Sequence, residues 1–141
     1  MYVKQISVFI ENSKGKLGEF TDLLAKNNID LISMSIADTT SFGILRGIVI
    51  DYARAVEVIE KAGYTACLTD VLAVEVPDHP GGLSNVLKML SDEGIAIEYL
   101  YSFMRSRGNA ALIVFRVEKI DLAYQILTAH QVKVLSQEDL C

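Results

Sequence analysis

Ile6-Ser-Val-Phe-Ile10 and Leu72-Ala-Val-Glu-Val76 are two copies of one short pattern, and the residues after each extend the match. At a constant offset Gly15-Lys-Leu17 falls on Gly81-Gly-Leu83, Leu24 on Leu90, Ile29 on Ile95 and Leu31 on Ile97. Both stretches read as strand, Gly-bearing turn, amphipathic helix, strand. After small shifts Ile48-Val-Ile50 matches Ile113-Val-Phe115, and the segment from Ala55 to Ala66 matches that from Ala123 to Val134. The period is about half of the 141 residues, too long and with too few copies for a solenoid. Two tandem copies of one small fold is the simpler reading, divided at residues 1–70 and 71–141.

In the first copy Val3 to Ile10 alternates as a strand, with Val8 and Ile10 on one face. Leu17, Phe20, Leu23 and Leu24 then recur at helical spacing, with Glu19, Asp22 and Lys26 opposite. Asn27-Asn28 closes that helix, because Asn tolerates the left-handed C-terminal position. Ile29 to Ala37 and Ile44 to Ile50 read as strands, and Ala55, Val56, Ile59 and Ala62 mark a helix ended by Gly63. A fourth strand begins near Thr65. The second copy repeats the order with a strand to Val76, a helix from Leu83 to Glu93 closed by Gly94, and strands Ile95 to Met104 and Ala110 to Val117. A helix from Asp121 to His130 and a strand from Val132 to Leu135 complete it.

The fold class is therefore α+β. Each copy has the order βαββαβ, with two helices able to cover one face of a four-stranded antiparallel sheet. At about 70 residues a single copy has a marginal core of its own. No Pro- or Gly-rich linker parts the copies, and Asp70-Val-Leu-Ala-Val-Glu-Val76 can run almost directly from one strand into the next. Along Ile97-Glu-Tyr-Leu-Tyr-Ser-Phe103, strict alternation puts Ile97, Tyr99, Tyr101 and Phe103 on one face, with Leu100 and Met104 on the other. Both faces call for burial, so the copies are expected to pack on each other or on a second chain.

Composition narrows the function classes. Hydrophobic residues make up 51% and charged residues 22%, which excludes disorder. The longest stretch free of Asp, Glu, Lys and Arg runs only from Leu122 to Val132, whereas a membrane span needs ~20 residues. Met-Tyr-Val-Lys-Gln is not expected to be a signal peptide. Two cysteines, Cys67 and Cys141, make neither a disulfide framework nor a zinc site, so a reducing, cytoplasmic setting is expected. A net charge of −5, shared as −2 (7 basic, 9 acidic) and −3 (6 basic, 9 acidic) by the two halves, argues against a nucleic-acid partner. The small basic cluster Arg105-Ser-Arg107 sits at an expected hairpin and does not change that.

No catalytic constellation emerges. The chain lacks a Gly-x-Ser-x-Gly elbow, a P-loop, a dinucleotide fingerprint and His-Glu-x-x-His. Cys67, in strand-like Ala66-Cys-Leu68, reads as a buried, inert thiol. His130 reads as a helix-terminal residue interacting with the dipole. Asp92-Glu93 and Glu138-Asp139 flank turns and read as solvated. No enzyme activity, cofactor or metal is expected.

The turns after the first strand of each copy stand out. In Pro77-Asp-His-Pro-Gly-Gly-Leu83, Asp78 can cap the early amides and Pro80 suits the first helical turn. Gly81 and Gly82 then leave amides bare of side chains, and such a helix N-terminus attracts a carboxylate or phosphate. Glu11-Asn-Ser-Lys-Gly-Lys-Leu17 occupies the same place in the first copy, adding Lys14 and Lys16 as counter-charges. Both turns are equally readable as well-capped helix starts and nothing more.

Asp78-His-Pro-Gly-Gly-Leu83 resembles the Asp/Asn-x-Pro-Gly-x-Leu turn of ACT domains, small βαββαβ modules that bind amino acids. Asn12-Ser-Lys-Gly-Lys-Leu17 is a looser copy, with Lys14 where proline is usual. Asn28-Ile-Asp-Leu-Ile-Ser33 and Gly94-Ile-Ala-Ile-Glu-Tyr99 resemble the family's post-helix strand. Phe42-Gly-Ile-Leu-Arg-Gly-Ile-Val49 and Ile97 to Phe103 are similar to short stand-alone proteins made of two ACT domains. The resemblance covers nearly the whole chain, and it implies two tandem ferredoxin-like domains with antiparallel sheets and helices on one face.

It also implies a regulatory sensor of a free amino acid, acting on a metabolic enzyme. In ACT pairs the effector sits between the first turn of one domain and the second strand of its neighbour. Carried over by position, the first turn comprises Asn12, Ser13, Lys14, Gly15, Lys16 and Leu17. The second comprises Asp78, His79, Pro80, Gly81, Gly82 and Leu83. The facing segments are Ser33 to Asp38, with Ser35 and Ala37, and Tyr99 to Phe103, with Tyr99, Tyr101 and Ser102. Amides near Gly15 or Gly81 would take the α-carboxylate, and Asp78 or backbone carbonyls the α-ammonium. Asp30 in one copy against Ala96 in the other, and Lys14 in the first only, imply unequal sites. Tyr99, Tyr101 and Phe103 either stack on a ligand ring, which favours an aromatic amino acid or histidine, or serve as core or interface. A homodimer through a sheet edge or face fits the same resemblance. The rival reading is a ligand-free module that docks on an enzyme partner.

Overall fold

Burial alternates along the first strand, β1 (Val3–Glu11), with Ile6, Val8 and Ile10 buried and Phe9 and Glu11 exposed. The structure, a computed structural model, describes residues 2–38, 41–104 and 108–140. The chain divides into two units between Thr69 and Asp70, and the second also takes Tyr2 and Val3.

In the first unit β3 (Phe42–Val49) runs antiparallel to β1 on one side and to β2 (Leu31–Asp38) on the other. The strand β4 (Ala66–Pro77) is the other neighbour of β1. Val8 stands opposite Leu45 and Ile10 opposite Gly43, which fixes the inward face. Helix α1 (Lys16–Lys26) buries Phe20 and Leu24, and α2 (Tyr52–Lys61) buries Ala55 and Ile59. All four join Ile6, Val8, Ile10, Leu45 and Val49 in one core, so both helices cover the same sheet face. Asn28, at φ 56°, ends α1 in the left-handed region, as its amide side chain allows. The Asp51 carboxylate accepts the Arg54 N–H at 3.2 Å and caps α2.

The second unit repeats the plan. It adds α3 (Gly82–Asp92), β5 (Ile97–Ser102), β6 (Ala110–Val117), α4 (Ile120–Ala129), β7 (Val134–Leu135) and a short 3-10 turn at Glu138–Leu140. β6 lies between β4 and β5, and β7 pairs with the other edge of β4. Its core joins Leu72, Val74 and Val76 to Val86 and Leu90 of α3 and to Ala123 and Leu127 of α4. The Tyr2 ring meets Tyr124 edge-on at 6.0 Å, and its hydroxyl donates to the Asp121 carboxylate. That hydrogen bond, with burial and the negative charges of Asp121 and Asp70, pushes the Tyr2 phenol up to about 12. His130 caps α4, with its ring Nδ1 2.8 Å from the Ile126 carbonyl.

Four details depart from expectation. The last strand of the first copy and the first of the second are one strand, β4, so the described chain has seven strands rather than eight. The register slips between Leu31 and Ser33, and again between Ile97 and Tyr99, leaving Ile32 and Glu98 unpaired in two equivalent β-bulges. Ile97 therefore shares the inward face of Val117, while Tyr99 and Tyr101 stand opposite Arg116 and Val114 on the outward face. Pairing also moves the later repeat: Gly47 opposes Ile6 and Phe115 opposes Leu72, so Ile48 is equivalent to Arg116 and not to Ile113. Finally, Cys67 is exposed, because its side chain falls at a position of β4 that no described residue covers. Cys141 and the cluster Arg105-Ser106-Arg107 lie outside the described residues.

Candidate ligand-binding turns

The two turns are built by the same four backbone bonds. In the first, the Ser13 N–H donates to the Glu11 carbonyl at 2.9 Å, Lys16 to Ser13 at 3.3 Å and Glu19 to Gly15 at 3.0 Å, while Asn12 donates outward to Ser41 at 3.2 Å. In the second, His79 donates to Pro77 at 3.0 Å, Gly82 to His79 at 3.0 Å and Asn85 to Gly81 at 3.0 Å, with Asp78 donating to Asn109 at 3.1 Å. Gly15 (φ 85°, ψ −9°) and Gly81 (φ 90°, ψ −12°) are the N-cap residues, both left-handed, a conformation that costs an L side chain about 1–2 kcal/mol. No side chain among the described residues caps either helix. With Lys16 and Gly82 bonded back into the turns, the next amides, those of Leu17 and Gly18 and of Leu83 and Ser84, are left to solvent or a ligand, with the positive end of the helix behind them.

Two expectations about capping are corrected here. Asp78 does not cap α3, because the helix starts only after Gly81 and the Asp78 backbone is turned toward Asn109. Pro80 precedes the N-cap rather than sitting in the first turn, and its carbonyl lies 2.9 Å from the His79 ring Nδ1. Gly82 has a steric reason: a Cβ there would stand 2.0 Å from the Pro77 carbonyl oxygen. Lys16 holds the equivalent place in the first turn, its ammonium 3.5 Å from the Glu19 carboxylate in a surface pair.

Beside the first turn lies a cavity of about 200 Å³ lined by Ile10, Glu11, Asn12, Ser13, Leu17, Ile36 and Gly43. It brings three of the expected residues, Asn12, Ser13 and Leu17, to one wall. Lys14 and Gly15 are exposed on the turn outside it. Ser35 and Ala37 oppose Arg46 and Ile44, on the sheet face away from the helices, and Ile36 between them opposes Leu45 on the inward face. Ile10, Glu11, Ile36 and Gly43 are therefore the cavity residues not among those expected. Strand alternation carries the signal once the bulge at Ile32 is known. In the second unit Asp78, His79, Pro80 and Gly81 are exposed, Gly82 is buried, and Leu83 packs against the core. Tyr99 and Tyr101 stack on each other, centroids 6.4 Å apart and planes 20° off parallel, and Tyr101 is only 8% exposed. Ser102 opposes Ile113 on the inward face.

Among the described residues no three His, Cys, Asp or Glu side chains group as a metal site requires, and no helix is long and apolar enough to cross a membrane. What the turns offer is hydrogen-bond donors for an anion, next to a small apolar wall. That is binding chemistry.

No curated protein matches the sequence. The crystal structure of protein BT0572 from Bacteroides thetaiotaomicron is 41% identical, covers 99% of this chain and 96% of its own, and superposes with a TM-score of 0.92. The regulatory subunit of aspartate kinase from Thermus thermophilus, in ligand-free form, is 18% identical, with 90% and 91% covered and a TM-score of 0.64. That from Thermus flavus is 19% identical, with 93% and 92% covered and a TM-score of 0.65. At such identities the two subunits share the fold alone. A family model described as the ACT domain pair matches residues 1–141. The chain belongs to the family of ACT domain pairs, a regulatory rather than catalytic domain type.

Proposed function

We propose that this chain is a non-catalytic, cytoplasmic sensor that binds a free amino acid at one or both turns and regulates a metabolic enzyme. The observation that carries the reading is the bond-for-bond duplication of a turn whose helix amides no side chain caps. An α-carboxylate satisfies those amides and gains from the helix dipole, which helix starts closed by Ser, Thr or Asp would not permit. The aspartate kinase regulatory subunits, which share the fold, are by name parts of an enzyme that acts on an amino acid, and an enzyme partner suits this chain likewise. An aromatic or histidine ligand loses its support at Tyr101, whose ring is already buried against Tyr99. The side-chain class then depends on the cavity.

The test is a thermal-shift screen of the full chain against each proteinogenic amino acid. A native-state ligand raises Tm by mass action, and one or a few related amino acids should do so. Gly81→Val and, separately, Gly15→Val block close approach to the amides and should weaken binding at their own turn without unfolding the chain. Unchanged affinity in calorimetry removes that turn from the site. The second reading, a ligand-free docking module, is favoured by Phe9 and Phe42, each 51% exposed on β1 and β3. A flat screen followed by copurification of an enzyme supports it. Light scattering tests the homodimer that belongs to either reading.

A further inference from the structure

The cavity beside the first turn joins the polar turn residues Glu11, Asn12 and Ser13 to an aliphatic wall. Ile10 and Gly43 are directly opposed across β1 and β3, Ile36 is on the inward face of β2, and Leu17 leans in from the first turn of α1. Leu17 is 37% and Ile36 42% exposed, a surplus of uncovered aliphatic surface within the inward layer. The floor is open because residue 43 is glycine. A Cβ there would meet Ile36 Cγ2 at 3.6 Å and the Ala37 and Ile10 carbonyl oxygens at 3.8 Å, all ordinary contacts. Gly43 is therefore not demanded by the backbone: the strand would accept alanine, and the cavity would lose a methyl's worth of space.

The second repeat already has that alanine. Ile10 pairs with Gly43 as Val76 pairs with Ala111, so Ala111 stands where Gly43 does. The register of β5 likewise puts Ser102 at the place of Ile36, and Leu83, the counterpart of Leu17, is packed into its core. The aliphatic wall is present in one copy and replaced in the other.

We infer that the first-turn cavity is a side-chain pocket for a free amino acid with a branched aliphatic side chain, and that Gly43 sets its size. The inference rests on the sensor reading above and names the ligand class of that site. The volume, about 200 Å³, is below the ~300–1,000 Å³ of sites for drug-sized ligands and suits a valine, leucine or isoleucine side chain. Ile10, Leu17 and Ile36 offer contact to methyl groups, while Glu11, Asn12 and Ser13 supply the polar side of the lining.

The experiment is calorimetric titration of the full chain and of Gly43→Ala with L-valine, L-leucine, L-isoleucine, L-phenylalanine and L-histidine. One of the three aliphatic probes should bind at least about tenfold more tightly than phenylalanine or histidine, and Gly43→Ala should weaken it about tenfold, the effect of one methyl group in a fitted pocket. Circular dichroism melts establish that the variant is folded. If it is not, Ile36→Ala replaces it, and the larger pocket should shift the preference toward phenylalanine. Tightest binding of phenylalanine or histidine, or aliphatic binding indifferent to both variants, overturns the inference and leaves the sensor reading standing. Failure of these probes together with a flat screen of all amino acids removes both.

Discussion

Gly82→Ala is the substitution for which the structure gives the sharpest expectation. The new Cβ would lie 2.0 Å from the Pro77 carbonyl oxygen, 3.1 Å from the Pro77 carbonyl carbon and 3.4 Å from its Cβ. Comfortable contact begins at about 3.5 Å, so the start of α3 and the end of β4 must part by about 1.5 Å. Neither is free to move. The Gly82 N–H is held by His79 and the Asn85 N–H by Gly81, while Val86 and Leu90 further along α3 are locked in the core. Overpacking against side chains costs about 1–3 kcal/mol, and a backbone neighbour puts this case at the upper end. Alanine recovers up to about 1 kcal/mol as the better helix former, leaving a net loss of about 2 kcal/mol. Two other glycines calibrate the result. Gly81→Ala meets no atom within 4 Å but sits at φ 90°, so it should lose about 1–2 kcal/mol to backbone strain alone. Gly18→Ala, inside α1 with open space and no positive φ, should gain about 0.5–1 kcal/mol. Urea denaturation of the three variants, read at constant m-value, gives the order. A Gly82→Ala protein as stable as the parent would refute the seating of α3 against Pro77.

Removing the cap of α2 with Asp51→Ala should cost about 1 kcal/mol in the same assay, because the Arg54 N–H loses its partner; no change would mean that the carboxylate leaves that amide to water. Tyr2 gives a pH dependence. Its phenol is held at about 12 against an ordinary 10.0, so the folded state keeps the proton longer than the unfolded state does. The stabilisation is therefore complete below pH 10 and is lost as pH rises through 12. Stability measured against pH should fall more steeply in the parent than in Tyr2→Phe over that window, and parallel curves would show that the Asp121 contact does not persist in solution.

Much of the fold is legible in the sequence because burial has a period. Ile6, Val8 and Ile10, or Phe20 and Leu24, announce their elements directly, and Ala55 and Ile59 of α2 find their counterparts in Ala123 and Leu127 of α4. Asn28 marks its helix end by a conformation that few residues tolerate. The bulges are not legible in this way. Each adds one residue, Ile32 in one copy and Glu98 in the other, and an aliphatic and a carboxylate share no compositional signal. Every face assignment beyond them is affected, which is why Ile97 parted from Tyr99 and why Ile36 rather than Ser35 or Ala37 reaches the cavity. The match of Ile48 moved from Ile113 to Arg116 for another reason: the stretch from Ser102 to Ala111 is two residues longer than that from Ile36 to Gly43. Asp78 looked like a cap because capping residues are recognised by type, whereas the helix start is set by the left-handed glycine three positions on. The turn motif was visible; the wall beside it depended on register.

The continuity of β4 bears on how the gene for this chain can be cut. Twelve residues, Ala66–Pro77, form one strand across the division between the units, and Val71 to Val74 within it are fully buried. A protease finds no exposed linker at residues 69 and 70, so limited digestion should not release two resistant halves. A gene broken between those codons would encode two fragments, each ending or starting in the middle of a strand. Because one strand serves both repeats, neither fragment would carry β4 whole.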